Sequence, residues 1–180
     1  MILAAFVAML MAACGNPPSP SPSASPVVTP SSSIVPTGSI PGESPTETAC
    51  TSNDIHATGG PWGGAAGSRG SDITVVNAGS TACLLPAGPA IALLDQSGAV
   101  LLTTPARAGS GPSVAPNGTA TFSLLFGNWC AENVNLPLHF RLALASDAVD
   151  IENLAASTVD DLPPCNGPGL PASLSTTDWQ

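Results

Sequence analysis

The sequence predicts an all-β domain, an antiparallel immunoglobulin-like β-sandwich of about seven strands. Three observations carry that prediction. Several short segments alternate apolar and polar residues with the period of two that a half-buried strand requires. They are separated by clusters of Gly, Pro, Ser and Asn, the residues that turns select. No stretch spaces apolar residues as an amphipathic helix of useful length would.

In chain order, residues 1–13 form an apolar run, shorter than the ~20 residues a spanning helix needs. The run ends in Leu10-Met-Ala-Ala-Cys14. An apolar segment closing on small residues and a cysteine resembles the lipobox of bacterial lipoproteins, in which the peptide is cut before the cysteine and the cysteine is acylated. The resemblance implies a lipoprotein signal peptide over residues 1–13 and lipidation of Cys14. It also implies a domain tethered to the membrane on the extracytoplasmic side, in the cell envelope. Met11 stands where Leu is usual, and no Lys or Arg precedes the run. The competing use is an ordinary signal peptide or short anchor with an incidental cysteine. The place of Cys14 directly before a long Pro/Ser segment favours lipidation, and two acyl chains suffice for stable anchoring.

Residues 14–49 comprise that cysteine and a linker rich in Pro, Ser and Thr, with few sizeable apolar residues. Such a segment cannot bury enough surface to offset its ordering entropy and is expected to be disordered. Its prolines bias it to extended polyproline II, so at ~3.1 Å per residue it could reach roughly 100 Å. A tether is the expected role, rather than a proline-motif ligand.

The folded domain is expected over residues 50–165. A first strand is placed at 53–58, and the Gly-rich stretch 59–70 is read as a connection. That stretch lacks the Gly-Lys-Ser/Thr ending of a phosphate-binding loop and precedes a strand rather than a helix. Residues 72–77 follow as a strand in which Ile73 and Val75 alternate with Thr74 and Val76. Cys83 stands just after a Gly/Ser turn. A strand at 90–95 turns through Gln96-Ser97-Gly98 into one at 99–103, a hairpin signal. Residues 104–118 read as loop. In 119–126, Ala120, Phe122, Leu124 and Phe126 point inward, with Thr119, Thr121 and Ser123 outward. In 136–144, Leu138, Phe140, Leu142 and Leu144 share one face, opposite His139 and Arg141. A last strand covers 149–154, and residues 166–180 form a C-terminal tail.

Charge narrows the partners. The chain has no Lys, only Arg69, Arg107 and Arg141 against 12 acids, and a net charge of −9. Binding a polyanion needs clustered Lys and Arg, so no nucleic-acid partner is expected. Repulsion from anionic headgroups leaves membrane attachment to the lipid anchor.

Apart from Cys14, four cysteines remain: Cys50, Cys83, Cys130 and Cys165. An even number in an exported domain implies disulfides, and three pairings are open. Cys50 with Cys83 and Cys130 with Cys165, nearest neighbours in sequence, are favoured. Each would close a loop of about 35 residues, for about 4 kcal/mol by loop-closure entropy. Zinc is the competing use, but no Cys-x-x-Cys pair is present, so no metal and no cofactor is expected.

The order Cys50, Gly64-Ala-Ala-Gly67, Asp72-Ile-Thr-Val-Val-Asn77, Cys83-Leu84, Ala90-Ile-Ala-Leu-Leu-Asp95, Pro116-Asn-Gly-Thr-Ala120, Trp129-Cys130 and Cys165 is similar to the bacterial domain-of-unknown-function 4232 family. The resemblance covers residues 50–165. It implies a β-sandwich in an extracytoplasmic setting and carries over no catalytic residue.

Nucleophilic catalysis needs a nucleophile, a base within hydrogen-bond reach and a group that orients the base. Gly111-Pro-Ser113-Val-Ala115 comes nearest to a nucleophile elbow but lacks the second glycine, and Pro112 does not suit the turn. His56 and His139 fall in strands, His139 on an outward face. Asp147, Asp150, Glu152, Asp160 and Asp161 crowd one segment without EF-hand spacing, so a solvated acidic face is favoured over a calcium site. Trp129, beside Cys130, is expected to pack on a disulfide. Trp62 and Trp179 are the candidate exposed ligand contacts.

The expected function is therefore that of a non-enzymatic, membrane-anchored binding module for an envelope protein, a wall polymer or a small ligand. The alternatives are an envelope enzyme or enzyme subunit and a structural spacer. A deep pocket gathering a histidine with carboxylates would mark the first, and the lack of any concave site the second.

Overall fold

Alternating apolar side chains bury their faces in the computed structural model of the chain, which describes residues 47–65, 67–131 and 134–180. The expected signal peptide, Cys14 and the linker up to residue 46 lie outside these. The described residues form twelve strands: β1 (Thr48–Ala49), β2 (Ile55–Gly59), β3 (Gly63–Ala65), β4 (Ser68–Asn77), β5 (Cys83–Pro86), β6 (Ala90–Leu94), β7 (Val100–Thr103), β8 (Ser110–Val114), β9 (Thr119–Gly127), β10 (Leu138–Ala143), β11 (Ala148–Ala156) and β12 (Ser173–Thr176). The helical content among them is one 3-10 turn, Val159–Asp161.

Nine strands make one sheet in the order β12-β9-β4-β2-β11-β10-β6-β7, with β3 paired to β4. The longest register is β4 against β9, antiparallel from Ser68↔Gly127 to Val76↔Thr119. It sets Ile73 opposite Phe122 and Val75 opposite Ala120, all four buried. Direct cross-strand apolar pairs of this kind are the unit of sheet stabilisation. The inward set expected for residues 119–126 is found buried: Ala120, Phe122, Leu124 and Phe126. So is the set Leu138, Phe140, Leu142 and Leu144, while His139 faces out.

The strands expected to divide between two sheets are continuous, and β11 is the reason. Its first residues pair antiparallel with β10, Ala148–Asp150 against Arg141–Ala143. Ile151 and Glu152 then pair parallel with Ala57 and Thr58 of β2, before Ala155 and Ala156 return to β10. The interruption is a bulge: Glu152 and Asn153 both face outward, and Asn153 takes a φ of 58°. Bulges bend a strand, and asparagine tolerates that left-handed conformation better than most residues. At the far edges, β12 lies along β6 and β7. The Thr176 hydroxyl donates to the Pro89 carbonyl at 2.9 Å there. The sheet is thus nearly closed into a barrel.

Three expectations are corrected. The stretch 59–70, read as connection, contains β3 and the start of β4, paired as a tight hairpin from Gly63↔Gly70 to Ala65↔Ser68. Glycine strands carry no side-chain alternation, so their pairing leaves no period-two signal. Residues 104–118, read as loop, contain β8, which pairs with β5 in a separate small sheet, β1-β5-β8. The tail contains β12, which pairs with β9 from Ser173↔Gly127 to Thr176↔Leu124.

Two disulfides join Cys50 to Cys83 and Cys130 to Cys165. The first is buried beside the small sheet, where the Cys50 amide also donates to the Leu84 carbonyl at 2.9 Å. With all four sulfurs in S–S bonds, none is free as a thiolate ligand.

Every Phe and Trp ring among the described residues meets another. Trp62, Phe140, Phe126 and Trp129 form a contiguous series with centroids 5.4, 6.0 and 5.5 Å apart. Phe122 and Trp179 meet edge to face at 5.2 Å. Trp62 and Trp179, expected as exposed contacts, are therefore partly buried packing residues. The Gly-rich hairpin lays Trp62 over Phe140, and its indole N–H donates to the Ala155 carbonyl at 3.4 Å. The tail continues beside β9 through Thr177 and Gln180 and turns Trp179 inward, where its N–H donates to the Pro86 carbonyl at 2.8 Å.

Since Trp179 closes the edge between β12 and the small sheet, Trp179→Ala should destabilise the domain by about 2–4 kcal/mol. Urea unfolding measures this. A loss below about 0.5 kcal/mol, the usual scatter of surface substitutions, would mean that the tail is not an integral part of the fold.

Candidate functional site

Counting by two from Ile73 along β4 toward its start, the inward face runs through Ser71 to Arg69. Ile73 and Ser71 are buried and Arg69 is half-buried at the end of the sheet. Its register partner is Phe126, on the inward face of β9. A guanidinium on the core-facing side of a strand must find partners or lose hydration. Its Nη2 donates to the Asp160 carbonyl at 2.7 Å, and its Nε–H is buried with no hydrogen-bond partner.

The second donor is alike. Trp129 follows β9, and its indole N–H is also buried and unpartnered. Among the described residues these two are the buried side-chain polar atoms without a partner. Both residues line one open cleft of ≈ 520 Å³, within the range of small-molecule sites. Its remaining walls are the β3–β4 hairpin on one side and Val159, Leu162, Pro163, Pro164 and Cys165 on the other.

The cleft is rigidly framed. The Cys130–Cys165 disulfide ties the Trp129 side to the Pro164 side. A Cβ at Gly64 would fall 2.8 Å from Arg69 Nη1, the movable end of that side chain. Gly67 has a φ of +93°, and a Cβ there would strike the Asn166 side chain at 2.0 Å. Asn166 Nδ2 donates to the Gly67 carbonyl at 3.1 Å, and the Asn166 amide donates to Asn128 Oδ1 at 2.8 Å. Asn128 holds a positive φ of 50° and donates through Nδ2 to the Leu170 carbonyl at 2.6 Å. Residues held in sparsely populated backbone conformations by such networks cluster at functional sites.

By contrast, the buried Asn77 is fully engaged: Nδ2 donates to the Thr81 and Val114 carbonyls and Oδ1 accepts from the Gly79 amide, each at 2.8 Å. Asn77 is structural, its side-chain atoms met from within the fold.

The other candidates are scattered. The Ser113 hydroxyl donates to Glu47 at 2.6 Å on β8. His56 is exposed on β2, and His139 lines a separate open hollow of ≈ 330 Å³ with Asp95, Arg141 and Asp150. There the Asp95 carboxylate is taken by the Ser97 hydroxyl and the Ser97 and Ala99 amides at 2.6, 2.8 and 3.0 Å. The Ser97 hydroxyl above all, and the two amides, hold the Asp95 carboxyl below the ordinary carboxylate range despite its burial. Asp150 is taken by Arg141 Nε at 2.7 Å. Ser97 lines the same hollow, and its hydroxyl is engaged with Asp95.

The acids of residues 147–161 are likewise dispersed. Asp147 accepts from the Ser52 hydroxyl and amide at 2.6 and 2.8 Å. Asp161 accepts from the Ser157 and Thr158 amides and the Thr158 hydroxyl, at 3.0, 2.9 and 3.0 Å. No three or more His, Cys, Asp or Glu gather as a metal site among the described residues.

Comparison with known families now decides the relationship. Residues 50–180 match the domain of unknown function DUF4232. The chain belongs to this family. The matched span includes the tail, in keeping with the place of β12 in the sheet. Among solved structures, the chain is similar to one described as the X-ray structure of Northeast Structural Genomics Consortium target SoR45, at 15% identity and a TM-score of 0.33 over 62% of this chain and 92% of that one. No curated protein matches.

Sequence reasoning missed Arg69 and Trp129 as a pair. Extending the period-two count of β4 back past Asp72 would have placed Arg69 on the core face. Their meeting at one cleft has no sequence signal.

Asp161 anchors the wall nearest Arg69. Its carboxyl is held below the ordinary carboxylate range, first by the Thr158 amide and also by the Arg69 charge. A depressed folded-state pKa stabilises fully above the unfolded value of 3.8 and is lost as pH falls through the folded one. The thermal midpoint should thus be flat between about pH 7 and 5 and fall below about pH 4. Asp161→Asn should shallow that acid slope. An unchanged slope would remove Asp161 as a contributor.

Proposed function

We propose that this member of the DUF4232 family is an extracytoplasmic, membrane-tethered lipoprotein whose β domain works as a binding module. The observation that carries the reading is the cleft lined by Arg69 and Trp129, an open concavity inside a frame of disulfide, glycine hairpin and asparagine network. A concave, preorganised surface favours recognition of a ligand.

The setting is read from the disulfides and the N-terminal sequence together. Disulfides persist in oxidising compartments outside the cytoplasm. The run ending at Cys14 resembles a lipobox, and the Pro/Ser/Thr-rich residues 15–49 would carry the domain away from the membrane. No helix among the described residues is long and apolar enough to cross a membrane. Its architecture is read as an immunoglobulin-like sandwich whose two layers stay joined through β11.

Intact mass of the protein from its native membrane fraction tests the reading. The expected product starts at Cys14, carries a diacylglycerol adduct and gains four hydrogens on reduction of its two disulfides. Protein released without lipid would sink the tethered reading and leave a secreted domain.

A further inference from the structure

We infer that the Cys130–Cys165 disulfide is a dithiol-exchange site. It opens by reduction in the folded domain and frees the wall of the cleft that it ties, while Cys50–Cys83 remains a structural bridge.

Exposure separates the two bridges first. Cys50 and Cys83 are 1% and 3% exposed, within the core. Cys165 is exposed and Cys130 half-buried. Cys165 lines the cleft of ≈ 520 Å³, and Cys130 lines a second open hollow of ≈ 300 Å³ beside Leu101 and Ala172. Trp129 and Ala131 line both, so the bridge stands where the two openings adjoin. Exchange needs a thiolate to reach a disulfide sulfur, which makes exposed bridges the labile ones.

The surroundings of Cys130 also suit its reduced form. Its Sγ lies 3.5 Å from Asn128 Oδ1 and 3.4 Å from the Gly167 carbonyl oxygen. A bridged sulfur has no proton to offer them, whereas a thiol is a weak donor to either. Both oxygens are held in place, Asn128 Oδ1 by the Asn166 amide and the Gly167 carbonyl by the Leu170 amide. A reduced form that its surroundings stabilise makes a disulfide easier to reduce.

Opening the bridge spares the sheet. β10 and β11 pair with each other and with β6 and β2, and β12 pairs with β9, all without passing through the disulfide. The segment that loses its tie is the exposed one, residues 164–166 and 168–171. It keeps the hydrogen bonds of Asn166 to Gly67 and Asn128, and of Asn128 to Leu170. At about 1 kcal/mol each, these permit far more local opening than a covalent bond does.

The step balances with a dithiol as reductant. One of its thiolates attacks Sγ of Cys165, the S–S bond breaks, and a mixed disulfide forms. Cys130 Sγ leaves as a thiolate, takes a proton from water and donates it to Asn128 Oδ1 or the Gly167 carbonyl. The second thiol of the reductant loses its proton to water, attacks the mixed disulfide and releases Cys165, which is protonated in turn. The reductant ends as a disulfide, and the domain has gained two electrons and two protons.

The test uses the folded full chain in detergent micelles, with any free thiol first capped by N-ethylmaleimide. The protein is exposed to rising dithiothreitol, trapped with iodoacetamide and mapped by mass. Cys130 and Cys165 should be labelled at about one-tenth or less of the dithiothreitol that labels Cys50 and Cys83, with the near-ultraviolet circular dichroism retained. In the half-reduced protein, hydrogen exchange over residues 164–171 should quicken about ten-fold or more, with β4 and β9 unchanged. The double variant Cys130→Ser, Cys165→Ser should reproduce that pattern without reductant. Should it not fold, the half-reduced parent carries the measurement.

Cys50–Cys83 opening first, both bridges opening together, or labelling only as the near-ultraviolet signal is lost overturns the inference. So does a half-reduced protein whose exchange over 164–171 is unchanged, since the bridge would then hold nothing that its opening frees.

Discussion

The register of β4 against β9 is the constraint on which the rest depends. Nine consecutive pairs, Ser68↔Gly127 to Val76↔Thr119, set every second side chain of both strands toward the core. A slip by one residue would turn Ile73, Val75, Phe122 and Phe126 to solvent, because side chains alternate with a period of two. β4 also carries β2 on its other side and β3 at its start. The same parity that buries Ile73 delivers Arg69 to the open end of the interior. Core and cleft are thus two ends of one strand face.

Closure comes from a different device. A sheet this wide leaves two long edges, and exposed edges invite pairing with other chains. Here the bulged β11 bends the sheet and serves both β10 and β2. The tail then brings β12 and Trp179 back against β6, β7 and the small sheet. The two disulfides act on the connections rather than on the strands: Cys50–Cys83 fixes the small sheet, and Cys130–Cys165 fixes the mouth of the cleft.

The polar interior separates structure from recognition. Asn77 and Ser71 are buried and bonded to carbonyls that the fold itself would leave open. Arg69 and Trp129 are unmatched in this respect, and both stand at the same opening. An unmet buried donor costs about 1–3 kcal/mol, and native domains carry a few of them. The acidic segment 147–161 shows the reverse. Its carboxylates looked like a cluster in sequence, but Asp147, Asp150 and Asp161 are each satisfied locally.

The sequence by itself determined the all-β class, the inward faces of residues 119–126 and 136–144, and a cysteine count that fits two bridges. All of these are local: period-two alternation and turn residues report on the backbone they belong to. It did not reveal β3, β8 or β12, short strands rich in Gly, Pro and Ser, nor the join at β11. It also left Trp62 and Trp179 as exposed candidates, since nothing nearby in sequence announces the Phe140 and Phe122 rings that cover them. Only the tertiary structure brought Arg69, Trp129 and residues 159–165 to one cleft. Contacts among segments so far apart in the chain arise from strand pairing and sheet curvature, which no local pattern encodes.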